Sequence, residues 1–187
     1  MKRDLFVSLV SVGLVVASSR GTLAQGAETF TATASVKGPK GIVTAPVTVV
    51  VNHLVTDAER ATVMAALKKG GTAGVRDALA KMPAVGYIEI GGQKDEFQYA
   101  YARPTGDGRL VTVISGKPIA HLGGNLPGAK PKAGYDLAFA LLIVPGSGKG
   151  SGELGPAVKV KIGADGGVVT EDYASEVVTL SDVQKTK

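Results

Sequence analysis

The chain has 187 residues, a formal net charge of +5 and no cysteine. Without cysteine, disulfide stapling, thiol chemistry and a cysteine-linked lipid anchor are excluded, so the fold must be stabilised by a hydrophobic core. The basic residues are spread along the chain without the clustered Lys/Arg stripe typical of phosphate-backbone binding, and we therefore expect no nucleic-acid partner.

The N-terminal residues have the layout of a cleavable secretory signal. Two basic residues precede an uncharged apolar run from Leu5 to Ala17, which is shorter than the about 20 residues that a membrane-spanning helix needs. Small residues then lead up to Ala24, as signal peptidase requires. We expect residues 1–24 to be removed and the mature chain to begin at Gln25; the alternatives are an uncleaved N-terminal anchor and a buried core helix.

Export sets the expected location and charge of the mature protein. It would lie in the bacterial periplasm or be secreted, with no transmembrane segment left after cleavage. The signal contains three basic residues and one acidic residue, so its removal lowers the net charge from +5 to +3. Residues 25–187 suffice for one hydrophobic core, and we expect a single β-rich domain with a flexible polar tail at 185–187.

The mature chain begins with two predicted strands. From Thr29 to Val36 apolar side chains alternate strictly with Thr and Ser, which is the pattern of a half-buried strand. A Gly/Pro turn follows, and residues 42–54 alternate in the same way. Proline cannot donate to a sheet, so Pro46 indicates an edge strand or a bulge.

A helical period replaces the alternation at Thr56. Residues Thr56 to Glu59 form a capping box, which satisfies exposed amides at a helix start. Apolar residues recur at helical spacing as far as Gly70 and Gly71, which predict a helix end. A second short helix then extends to Met82, so we predict an α-helical hairpin at about residues 56–82 that docks on the sheet.

The rest of the chain is predicted to be strands joined by hairpin turns rich in Gly, Pro and Asp. The fold class is therefore α+β: a mainly antiparallel sheet of about 7–8 strands, a sandwich or a partly open barrel, with the helical hairpin inserted. The predicted strands in this part are 85–90, 96–103, 109–115, 135–144, 158–162, 168–173 and 177–183.

Several short segments occur in an order that resembles a group of exported bacterial proteins of unknown function, which have no assigned activity. Between Ile119 and Lys132 the chain departs from the pattern of that group. The resemblance implies export but no catalytic residue. The segments that carry it are Phe30–Ala32, Thr56–Arg60, Ala66–Lys68, Gly70–Gly71, Val85–Ile88, Tyr99–Arg103, Gly148–Glu153 and Tyr173.

The glycine-rich segment 145–156 superficially suggests a phosphate-binding loop. That motif requires glycine, four residues, then Gly-Lys followed at once by Ser or Thr. Here Ile143 occupies the first glycine position and Gly150 follows Lys149. The motif fails, and the segment is better interpreted as a flexible hairpin.

His53 and His121 are the only histidines and each stands alone in the sequence. A zinc site from His53 with Asp57 or Glu59 is conceivable across a strand-to-helix turn, but the capping box already explains Glu59. We predict no metal site, no cofactor and no catalytic residue. Acids that could pair for glycoside chemistry are also explained as solvent-facing residues at strand ends: Glu89, Asp95, Glu96 and Asp136.

The best candidate for ligand contact is one face of the strand 96–103. Phe97, Tyr99, Tyr101 and Arg103 alternate there, and tyrosine offers apolar area with a polar tip. The alternative is that the three aromatic side chains pack against the helical hairpin as core.

These observations favour an exported, non-enzymatic accessory or binding protein of the bacterial envelope. Its expected partner is a small apolar ligand or another envelope protein. The alternative is a small exported hydrolase that uses His53 or His121 with nearby carboxylates.

Overall fold

The computed structural model describes residues 26–38, 41–130 and 132–187. The predicted signal, residues 1–24, and the predicted first mature residue, Gln25, lie outside these ranges. No helix within the described ranges combines the length and the apolar character needed to cross a bilayer.

The described residues form ten strands and one helix. In chain order the elements are β1 (Glu28–Gly38), β2 (Gly41–Val51), α1 (Asp57–Leu79), β3 (Gly86–Ile90), β4 (Gln93–Phe97), β5 (Tyr99–Pro104), β6 (Gly108–Ser115), β7 (Leu137–Pro145), β8 (Gly150–Ile162), β9 (Val168–Tyr173) and β10 (Val178–Lys185).

The sheet is antiparallel throughout and nearly closes on itself. Its order is β4-β3-β2-β1-β10-β8-β7-β6-β5, with β9 paired to β8 beside this path. The two ends of the path, β4 and β5, follow each other in the chain with Gln98 between them. On one side the Phe97 carbonyl accepts from the Val85 amide (2.9 Å), and on the other the Gln98 amide donates to the Ile114 carbonyl (3.2 Å). One bent segment thus joins the two ends into a nearly closed barrel.

Side chains fill the inside of the barrel. Val113, Ala140, Leu154 and Val178 are successive register partners across β6, β7, β8 and β10, and all four are buried. A barrel of about eight strands leaves an interior just wide enough for such side chains. The cavity bordered by the first three measures only ≈ 10 Å³. The barrel is therefore a packed core.

The outer face of β7 is covered as well. Leu137 and Phe139 alternate with the inward residues of β7, yet both are buried. The helix lies against the neighbouring strand β8, where Thr72 Oγ1 accepts a hydrogen bond from the Val160 amide (3.0 Å). The predicted class, a mainly antiparallel sheet with inserted helix, is confirmed at this level.

The structure has ten strands, more than the about 7–8 predicted, and several turns are shorter than the sequence indicates. Gly91 and Gly92 alone make the turn between β3 and β4, both with positive φ (53° and 89°), as in the tight hairpin turns that suit strand twist. The predicted loop also shrinks, since β8 begins at Gly150. The predicted strand 96–103 is divided at Gln98.

The C-terminal residues are paired with β1, whereas the sequence predicted a flexible tail at 185–187. Lys185 is the register partner of Phe30. The Thr186 amide donates to the Thr29 carbonyl (2.8 Å), and the Thr29 amide donates to the Lys187 carbonyl (3.1 Å). The polar composition of these residues suits an exposed strand end as well as a free tail.

The helix begins at the predicted capping box. Thr56 Oγ1 accepts from the Glu59 amide (3.2 Å), and Glu59 Oε2 accepts from the Thr56 amide (2.7 Å). The predicted helical hairpin is wrong in its connection: no turn separates the two helical segments, which meet directly within α1 at Gly71 (φ 58°, ψ −145°), the one non-helical residue inside it. A glycine in that conformation kinks the helix without a turn segment.

The kink predicts opposite effects for two adjacent glycines. At both Gly70 and Gly71 an added Cβ would meet nothing within 4 Å, so only the backbone distinguishes them. Gly71→Ala should lower the free energy of unfolding by about 1–2 kcal/mol, since alanine disfavours the Gly71 dihedral angles. Gly70→Ala should raise it by about 0.5–1 kcal/mol, because alanine is the better helix former. Urea denaturation of both variants measures the difference, and equal effects would contradict the kink.

A buried carboxylate ties together one end of the barrel. Glu28 on β1 is 5% exposed; its Oε1 accepts from Lys185 Nζ (2.8 Å) and its Oε2 lies 3.0 Å from Arg109 Nη2. Burial by itself raises the pKa of the Glu28 carboxyl, but the hydrogen bonds and charges of Lys185 and Arg109 outweigh it and hold this pKa below its ordinary value of 4.5. Three strands, β10, β8 and β7, separate β1 from β6 in the sheet. The ion pair between Glu28 on β1 and Arg109 on β6 therefore crosses the interior of the barrel.

This cluster predicts an acid-sensitive contribution to stability. A carboxyl whose pKa is lower in the folded state stabilises fully above its unfolded pKa and loses that contribution as pH falls through the folded pKa. Glu28→Gln should therefore lower the free energy of unfolding by about 2 kcal/mol at neutral pH, and the gap to wild type should narrow below pH 4.5. Denaturant titrations of both proteins, from neutral pH to below pH 4.5, measure this difference in the free energy of unfolding. Glu171→Gln, at an exposed site, is the matched control; a gap independent of pH would contradict the prediction.

Candidate functional site

A cleft of ≈ 270 Å³ lies on the outer face of the barrel. Its floor contains Tyr101, Thr112, Leu141 and Glu153, which are successive register partners across β5, β6, β7 and β8. Side chains alternate between the two faces of a strand, so this row faces away from the core row that contains Val113. The floor is thus an apolar strip with a tyrosine at one end and a carboxylate at the other.

The roof of the cleft is the β8–β9 hairpin, comprising residues 158–173. β8 pairs with β10 as far as Leu154, and from Val158 onward the same edge pairs with β9, while Val158 also remains the partner of Leu137 on β7. The hairpin turn is closed by the Gly163 amide, which donates to the Gly167 carbonyl (2.8 Å), and by Asp165 Oδ1, which accepts from the Gly167 amide (2.9 Å). Asp165 and residues 167–170 line the cleft.

Two arginines hold this turn over the floor. Arg60 of α1 donates from Nη2 to the Gly166 carbonyl (3.1 Å), and Arg103 of β5 forms an ion pair with Asp165. The arginines come from different elements, so the roof is attached on both sides.

Tyrosines supply much of the cleft wall. Burial raises the pKa of Tyr99 to about 12, so its hydroxyl remains protonated at neutral pH. Tyr101 lies beside it with ring centroids 6.5 Å apart, and the Arg60 guanidinium lies 4.8 Å from the Tyr101 centroid. A cation at that distance is attracted by the ring, which fixes the arginine at this end.

Tyr173 of β9 closes the opposite end. Its hydroxyl donates to Glu153 Oε1 (2.9 Å), and burial together with the Glu153 charge raises the pKa of this phenol. The ring lies over Gly155, where an added Cβ would be 2.9 Å from it. Glycine at this position therefore allows the tyrosine to approach β8.

The charges that line the cleft are unevenly paired. Arg103 and Asp165 neutralise each other. Arg60 and Glu153 form no ion pair within the described residues, and the buried Nε of Arg60 donates to no group there. One positive and one negative group are thus available to a ligand.

The structure brings together three of the four residues predicted for ligand contact. Tyr99, Tyr101 and Arg103 line the cleft. Phe97 instead borders the small interior cavity beside Val113. The alternation of faces shifts by one residue at Gln98, where the chain changes partner strand, and an unbroken alternating sequence does not reveal such a shift.

The histidines and most of the predicted acids lie away from the cleft. His53 and His121 are exposed and neither lines it. Glu59 serves the helix cap. In the part of the chain that the structure describes, no group of three or more His, Asp or Glu side chains is arranged to hold a metal ion. The remaining acids form ion pairs or lie at strand positions outside the cleft: Glu89 with Lys94, Asp136 with Arg76, and Asp95 and Glu96 on β4.

Sequence reasoning missed the other charged residues of the cleft. The sequence around Arg60 predicts only a capped helix, and the sequence around Asp165 predicts only a turn. Glu153 lies in the glycine-rich segment interpreted as a loop. Local patterns do not show that these three residues join the face of Tyr99, Tyr101 and Arg103, because the cleft is assembled from segments as far apart in the sequence as Arg60 and Tyr173.

Comparison of the chain with protein-family models, curated proteins and solved structures finds no match.

The roof contact predicts a modest coupling energy. The Arg103 and Asp165 side chains are 36% and 39% exposed, and ion pairs so open to water contribute at most about 1 kcal/mol. A double-mutant cycle with Arg103→Gln and Asp165→Asn, measured by urea denaturation, should give a coupling within that limit. Hydrogen exchange at residues 164–168 should be faster in Asp165→Asn, and unchanged exchange would show that the ion pair does not hold the turn.

Proposed function

We propose that this chain is an exported, non-enzymatic binding protein of the bacterial envelope, and that the cleft under the β8–β9 hairpin holds a small ligand. The observation that carries the proposal is the cleft itself, a space of ≈ 270 Å³ that combines aromatic and aliphatic walls with charged groups. Ligand pockets have this composition: mostly apolar lining with a few convergent polar groups.

Packing supports the outer wall as the binding surface. The interior cavity beside Val113 measures ≈ 10 Å³, which leaves no room for a ligand inside the barrel. The cleft offers Tyr101 and Leu141 as apolar contacts, and Arg60 and Glu153 as polar contacts at its two ends. A ligand with an apolar middle and polar ends would match this distribution.

The hydrolase alternative gains no support from the cleft. A general base must lie within hydrogen-bond reach of the group it deprotonates, and His53 and His121 both lie outside the cleft. Tyr99, whose pKa is raised to about 12 by burial, is a hydrogen-bond donor at neutral pH and a poor base. Binding without chemistry is the simpler use of these groups.

A pair of threonine variants tests the proposal. Thr112→Trp places a large ring on the cleft floor, whereas Thr48→Trp makes the same change on β2, at a half-buried site outside the cleft. The purified protein is screened by thermal shift against amino acids, peptides, sugars and fatty acids. We expect at least one class to raise the melting temperature of wild type and of Thr48→Trp but not of Thr112→Trp.

Two results would contradict the proposal. One is the absence of a shift with every class. The other is a shift that Thr112→Trp leaves unchanged, which would place the ligand elsewhere on the protein.

A further inference from the structure

We infer that the ligand of the cleft is a zwitterion, specifically a free peptide of two or three residues, whose carboxylate binds Arg60 and whose ammonium group binds Glu153. The inference rests on the proposed function and specifies its ligand. It depends on which charges the cleft leaves unpaired and on how far apart they lie.

Arg60 is the free cation of the cleft. A guanidinium has five N–H donors in a planar fork; Nη2 of Arg60 uses one on the Gly166 carbonyl (3.1 Å), while its buried Nε has no partner among the described residues. The ring of Tyr101 supports the guanidinium from one side. A carboxylate matches the remaining donors of such a fork in two parallel hydrogen bonds.

Glu153 is the free anion. Its Oε1 accepts the hydroxyl of Tyr173 (2.9 Å), which holds the side chain against the wall, and its Oε2 has no hydrogen-bond partner in the described part of the chain. An ammonium group, with three donors and no acceptor, is the complement of this carboxylate. The other charged pair of the cleft, Arg103 with Asp165, neutralises itself and needs no ligand charge.

The spacing of the two charges indicates the length of the ligand. Tyr101 and Glu153 are at opposite ends of the floor row, three strand spacings apart, which places their Cα atoms roughly 14 Å apart. Arg60 lies over the Tyr101 end. The long Arg60 and Glu153 side chains cover part of that distance, and two or three extended residues at about 3.3–3.6 Å each span the remainder.

Other ligand classes leave the charge of Arg60 or Glu153 without a partner, or do not reach both. A neutral sugar would displace water from Arg60 and Glu153 without supplying an opposite charge, which is costly for partly buried groups. A fatty acid would pair with Arg60 and leave Glu153 unpaired. A single amino acid carries both charges but too close together to reach both ends of the floor. Leu141, between those ends, would contact the middle of a peptide.

Peptides that lack one terminal charge measure the contribution of each end of the ligand to binding. The probes are alanyl-leucyl-alanine, its N-acetyl form without the ammonium group, its C-terminal amide without the carboxylate, and leucine alone. Calorimetry should show binding of the free tripeptide, with affinity reduced about tenfold or more by either block and weaker binding of leucine. Glucose and a fatty acid serve as the neutral and the singly charged comparison.

Two charge variants should respond to the blocks in opposite ways. Arg60→Gln should weaken binding of the free and N-acetyl peptides much more than binding of the amide, whose smaller loss reports only the loosened roof. Glu153→Gln should weaken binding of the free and amide peptides much more than binding of the N-acetyl form. Arg76→Gln, on the same helix, and Glu171→Gln, on β9, remove the same charges outside the cleft and should change nothing. Arg60→Lys retains charge and should recover part of the lost affinity.

The outcomes separate this inference from the proposed function. Failure of the free tripeptide to bind, or equal binding of the blocked forms, overturns the zwitterion. If the sugar or the fatty acid binds instead, and Thr112→Trp abolishes that binding, the cleft remains a ligand site for another class. If no probe binds wild type, the inference is overturned, and the broader screen decides the proposed function.

Discussion

The constraint on which this structure depends is the closure of the sheet through one continuous segment, β4 and β5. The segment pairs with β3 before Gln98 and with β6 after it, so the two edges of the sheet meet in a single stretch of backbone. Closure protects edges that would otherwise be open to aggregation. It also narrows the interior until side chains fill it, so the cleft of ≈ 270 Å³ lies on the outer wall.

A filled interior would ordinarily go with a polar outer wall, yet part of this wall is apolar. The run Leu137–Ala140 is buried on both faces of β7, as in a strand covered by other elements. The helix and the β8–β9 hairpin supply the cover, and the cleft is the region where they do not meet the wall completely. The proposed binding surface is thus a consequence of how two appendages pack on one barrel.

Much of this architecture could be predicted from local patterns. Alternation identified β1 and β2, and the Thr56 capping box located the start of the helix, because both depend on residues close in sequence. The direct junction of the two helical segments at Gly71, the strand pairing of the glycine-rich start of β8 and the break at Gln98 could not be predicted, because each depends on tertiary contacts. Phe97 and Tyr99 show the limit: their spacing predicts one shared face, but the change of partner strand at Gln98 puts them on opposite sides of the wall.

The attachment of the roof connects stability with recognition. The hairpin turn is held by the polar contacts of Arg60 and Arg103, and regions that depend on partly exposed polar contacts open at lower free energy than a packed core. A ligand carboxylate at Arg60 would add a bond to the same guanidinium that holds Gly166, so binding and roof closure would favour each other. In the proposed complex, Arg60 would be both a contact for the ligand and a support for the roof that encloses it.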